Sequence, residues 1–152
     1  MHIIQTFMRS LLIVLGFIAA ASVFAHTNEY LDTLNGEHGG QLRMSGAYHF
    51  ELVSAPGKLT VYVTDHAWQP VETTGASANA MVITDGKKTH IDLQVSGSNM
   101  FEGSGDFTLN EESTVHLKVS MPNGEAELAT FQPLRKRQKQ KAQKSGGHEH
   151  HH

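Results

Sequence analysis

Eleven histidines and no cysteine set the chemistry open to this 152-residue chain. Without thiolates, a bound metal must be held by imidazole, carboxylate, amine, backbone or thioether, a donor set that suits Cu(II), Zn(II) or Ni(II). His26 is the sharpest candidate. If the chain is cut after Ala25, this residue offers an α-amine and an imidazole together, a ready chelate for Cu(II); the plainer reading is a solvated, frayed end. Glu37-His38-Gly39-Gly40 is the second candidate, because two glycines after a histidine let the backbone approach an ion or make a tight bend. His49 and Glu51 stand two apart in an alternating segment and so share a face. There the carboxylate either joins the imidazole on an ion or orients it from behind. His66, next to Asp65 at a loop, adds a further donor. The chain ends with His148, His150, His151 and His152 behind Gly146-Gly147, a tract suited to loose capture of divalent ions.

The remaining histidines read as surface. His90 and Asp92 repeat the two-residue spacing, and His116 points outward in mid-strand; alternation produces such solvated pairs routinely. Met44 either packs in the core or supplies a soft ligand for Cu(I). No G-x-S-x-G, H-E-x-x-H or glycine-rich phosphate loop occurs, so the expectation is a binding protein and not an enzyme.

Three segments have to position these residues. Residues 1–25 read as a secretory signal: Arg9, an apolar run from Leu11 to Ala21, then Val23-Phe24-Ala25 as a small-residue cleavage site. Export to the periplasm follows as the expected location. Residues 26–134 form one domain of a size that buries a real core. They carry a formal charge of −9, whereas residues 135–152 carry +5. The basic stretch 135–145 is low in apolar content and is expected to be disordered. It lacks the interleaved aromatics that stack nucleic-acid bases, which leaves solubilisation or weak contact with an anionic membrane surface as its role.

Within the domain, alternating segments recur between turn signals. Tyr48–Leu52 and Leu59–Val63 flank Ala55-Pro56-Gly57-Lys58, and Ala78–Thr84 and Lys87–Val95 flank Asp85-Gly86. Thr114–Met121 and Glu125–Phe131 follow, separated by Pro122-Asn123-Gly124. Trp68–Glu72 reads as a short edge strand because of Pro70, and Phe101 and Phe107 flank a glycine-rich connection. Seven or eight short strands without a convincing helix predict an all-β domain, a single antiparallel β-sandwich of Ig-like or cupredoxin-like build.

The segment His38-Gly39-Gly40-Gln41-Leu42-Arg43-Met44, followed by Tyr48-His49-Phe50-Glu51-Leu52-Val53, resembles small periplasmic proteins of heavy-metal resistance systems. It is similar as well to the N-terminal domain of periplasmic adaptor subunits of heavy-metal efflux pumps. The likeness covers roughly residues 36–72 and excludes the adaptor's helical hairpin and lipoyl-like halves. It implies a role for His38, His49 and Glu51. A second similarity, to CopC-type copper-resistance proteins, rests on His26, the chain size and the strand-rich pattern; a methionine-rich loop is missing. Together these imply a protein that buffers or delivers copper, or zinc or nickel, to an efflux-pump component. The competing expectation is a β-sandwich interaction module of the cell envelope whose histidines are incidental.

Overall fold

The computed structural model describes residues 28–136, so residues 1–27, among them the expected signal segment and His26, and residues 137–152 lie outside the described residues. One helical turn, α1 (Asn28–Leu31), precedes eight strands: β1 (Gln41–Ser45), β2 (Tyr48–Ala55), β3 (Lys58–Asp65), β4 (Ser77–Thr84), β5 (Lys87–Val95), β6 (Met100–Ser104), β7 (Thr114–Ser120) and β8 (Ala126–Phe131). The all-β expectation holds. Every pairing is antiparallel, and the strands follow one hydrogen-bonded order, β1-β2-β3-β6-β5-β4-β7-β8.

The turn chemistry explains the hairpins. Asp85 and Gly86 both adopt positive φ, 50° and 78°, the backbone that a two-residue turn needs to match strand twist. At Pro56-Gly57, Gly57 takes φ 66° and returns the chain so that Ala55 faces Lys58. That turn sets the register of everything above it: Glu51 lies opposite Tyr62, and His49 opposite Thr64.

Two expectations need correction. Trp68–Glu72 is not a strand; only a single bridge, Thr64 to Pro70, forms there. Trp68 sits at φ 62°, and the Asp65 carboxylate accepts from the Ala67 and Gln69 amides, which curls the segment into a tight loop. Conversely, Phe101 and the first half of the glycine-rich connection after it belong to strand β6. Its glycine belongs in the sheet because a Cβ at Gly103 would lie 2.5 Å from the Asp92 carbonyl oxygen of β5.

The ladder between β5 and β6 is short, with only Gln94–Glu102 and Val95–Phe101 in register. The order therefore divides into two four-stranded halves, β1-β2-β3-β6 and β5-β4-β7-β8. Their inner faces enclose one apolar cluster: Phe50, Leu52, Val61 and Phe101 from the first half, Val82, Ile91, Leu117 and Phe131 from the second. At the far side the ends of the order meet through side chains. Arg43 Nε–H donates to the Thr130 carbonyl (2.9 Å), the Gln132 amide donates to Gln41 Oε1 (2.8 Å), and the Ser45 hydroxyl donates to Glu127 (2.7 Å). Arg43 also reaches Asp32 just past α1 (2.7 Å), which ties the N-terminal turn to β1, and Leu31 is fully buried there.

Arg43 is 7% exposed, so removing it strands the buried Leu42 carbonyl and the part-buried Thr130 carbonyl and frees Asp32. Arg43→Ala is expected to lower stability by about 2 kcal/mol in urea titration, as loss of hydrogen bonds from a charged donor predicts. Lys58→Ala, which breaks the solvent-accessible Lys58–Glu102 pair (2.8 Å), should leave the urea midpoint nearly unchanged. Lys58 and Ser96 donate to Glu102 and hold its carboxyl below the usual carboxylate range. The small stabilisation this gives is present above the ordinary carboxylate pKa and fades as pH falls through the lowered value. No helix among the described residues is long and apolar enough to cross a membrane.

Candidate functional site

The outer face of the first half presents two adjacent rows of side chains. One runs Leu42–Glu51–Tyr62 across β1, β2 and β3; the next runs Met44–His49–Thr64. Two loops fold back over these rows and turn a strand face into a cleft.

The first loop, residues 34–40, lies on Glu51. This carboxylate is 6% exposed and accepts three hydrogen bonds: from the His38 amide (2.8 Å) and the Gly40 amide (2.9 Å) on Oε1, and from the His38 ring at Nδ1 (2.9 Å) on Oε2. The His38 ring lies flat on Tyr62, with centroids 3.6 Å apart and planes within 2°. The glycines make this approach sterically open. A Cβ at Gly36 would run into the Glu51 carboxylate, and one at Gly40 would lie 2.5 Å from the Leu52 carbonyl oxygen. Gly39 takes φ 78° to make the bend between them. The glycine pair after His38 thus serves a tight bend and a close approach to β2.

Because the Glu51 carboxylate is an acceptor only, Nδ1 of His38 carries the proton, and the lone pair of the neutral ring lies on Nε2. The side chain is 38% exposed and lines the cleft. A carboxylate behind an imidazole is the arrangement that fixes tautomer and orientation in metal-binding histidines.

The second loop, residues 66–70, covers His49. Although the alternation places His49 on the outer face as expected, the ring is only 1% exposed. It stacks on Trp68 (centroids 4.1 Å apart, 17° between planes) and on His66 (5.2 Å, 23°), and its Nδ1–H donates to the Asp65 carbonyl (3.1 Å). His66 itself donates from Nε2 to the Gly46 carbonyl (3.0 Å). With Trp68 in place, His49 is closed to solvent and supports the loop. Trp68 holds a left-handed backbone that costs a bulky residue about 1–2 kcal/mol, strain of the kind that gathers at binding sites.

Between the loops lies a cleft of about 360 Å³, walled by Leu34, His38, Tyr62, Thr64, Trp68 and Asn99. Of the residues singled out from the sequence, His38 and Glu51 are in direct contact. His49 and His66 adjoin each other beyond Trp68. His26, His148, His150, His151 and His152 fall outside the described residues. Among the described residues, no three His, Asp or Glu side chains are grouped so as to hold a metal ion. Tyr62, Trp68 and Asp65 were not singled out as site residues. The Pro56-Gly57 turn does signal Tyr62, since a two-residue reversal there puts it opposite Glu51.

No protein-family model matches the chain, and no curated protein is significantly similar to it.

Proposed function

We propose that this is a periplasmic metal-binding protein that buffers or delivers copper, or another divalent transition ion such as zinc or nickel, in metal resistance and efflux. It acts by binding and not by catalysis. The observation that carries the reading is the clamp on His38: a buried carboxylate on Nδ1, an aromatic plate against the ring, and a place on the cleft wall. In this reading Glu51 orients His38 from behind, and His26 supplies an amine and an imidazole from a mature N-terminus created by cleavage after Ala25. Three nitrogen donors favour Cu(II) over other divalent ions. The histidines at 148 and 150–152 serve as a loose capture arm, and an efflux-pump component is the recipient. The facing of two four-stranded halves across one core supports a sandwich as the architectural description.

Glu51→Gln tests the site without dismantling it. The amide oxygen still accepts from both backbone amides, but the NH2 group now faces Nδ1. The ring answers by moving its proton to Nε2, which removes the ligand lone pair. Cu(II) titration of the mature protein lacking residues 146–152 should show submicromolar binding, weakened about 10- to 100-fold by Glu51→Gln and at least as much by His38→Ala. If the tail-deleted protein binds no copper, zinc or nickel below about the micromolar range, the core site does not exist. The strained, half-exposed Trp68 on a cleft wall shared with Leu34, Tyr62 and Pro70 would then favour the second reading, an envelope interaction module that takes an apolar or aromatic side chain of a partner.

A further inference from the structure

The outer face of the second half carries another set of donors, whose parts are far apart in sequence. Strand register puts His90 of β5 opposite Met81 of β4, and Met81 opposite His116 of β7. All three side chains are exposed, Met81 at 36%. Directly opposed residues on neighbouring strands have Cβ atoms about 5 Å apart, so the two imidazoles start roughly 10 Å from each other with a thioether midway.

Each ring is already held from one side. His116 shares a hydrogen bond between Nδ1 and the Thr130 hydroxyl on the β8 side (3.0 Å); with the hydroxyl as acceptor, the lone pair of the ring lies on Nε2. His90 donates from Nε2 to the Asp92 carboxylate (3.1 Å), which leaves its lone pair on Nδ1. An oxygen partner on one nitrogen and a lone pair on the other is how metal-ligating histidines are prepared.

We propose that His90, Met81 and His116 form a surface site for a soft monovalent cation, Cu(I). Two neutral imidazoles and a thioether match that ion: the thioether selects soft metals, and no ligand brings the negative charge that favours Mg(II) or Ca(II). A large exposed methionine in mid-sheet, flanked on both neighbouring strands by histidine, has a purpose in this arrangement that burial does not give it. The site lies on β5-β4-β7 and shares no residue with the His38 cleft, so either can fail without the other.

The test is NMR of the full mature protein labelled at the methionine ε-methyl groups, without oxygen and with free Cu(I) set by a chelator buffer. The Met81 methyl should shift and saturate as a single site, while the Met44, Met100 and Met121 methyls stay put and report an intact fold. His90→Gln and His116→Gln should each raise the midpoint at least tenfold, and His38→Ala should leave it unchanged. A Met81 methyl that does not move, or a midpoint indifferent to both histidine substitutions, overturns the proposal.

Discussion

Glu51→Ala is expected to lower the stability of the domain by about 2–3 kcal/mol, since it leaves the buried Gly40 amide and the part-buried His38 amide without acceptors at roughly 1–3 kcal/mol for a buried group, less what loop relaxation returns. The amides of His38 and Gly40 both donate to Oε1, and Gly36 and Gly40 pack directly against the same side chain. Hydrogen exchange should show those two amides becoming fast while the β2–β3 ladder stays protected. Glu51→Gln keeps an oxygen at the clamp and should lose under about 1 kcal/mol. The contrast between the two variants is the decisive readout. If alanine and glutamine prove equally mild, the carboxylate does not hold the loop, and His38 loses its fixed tautomer as well.

The second large effect lies at the junction of the two halves. Phe101→Ala should cost about 4 kcal/mol, in the range for truncating a fully buried aromatic ring. Phe101 pairs with Val61 on one side and Val95 on the other, at a place where β5 and β6 share only two register pairs. Packing, more than backbone bonding, joins the halves there. Denaturant unfolding followed by Trp68 fluorescence, which reports the first half, should then separate from unfolding followed by exchange of the β4–β7 amides. A loss under about 1.5 kcal/mol with coincident transitions would mean the short ladder is sufficient by itself.

How much of this was legible beforehand depended on locality. The hairpins were readable because Pro56-Gly57 and Asp85-Gly86 dictate both turn and register. The shared face of His49 and Glu51 followed from the two-residue period of a strand. What lay on top of that face did not follow. His49 read as a ligand on an open strand face because alternation says which way a side chain points and nothing about what covers it. The cover comes from Trp68, whose positive φ is sustained by Asp65 and a stacked imidazole, a tertiary effect without a local signature. Strand β6 was hidden for the opposite reason: Gly103 looks like a linker residue until the Asp92 carbonyl is seen pressed against it. The row of His90, Met81 and His116 needed the pairing of β4 with β7, strands separated by thirty residues.

The chain contains a single tryptophan, and the fold has set it against an imidazole on the wall of the cleft. Its fluorescence therefore comes from one location. Cu(II) seated at His38 should quench it, and the quenching should persist when residues 146–152 are deleted. The molecule carries its own optical gauge of where a ligand has gone, readable without a label.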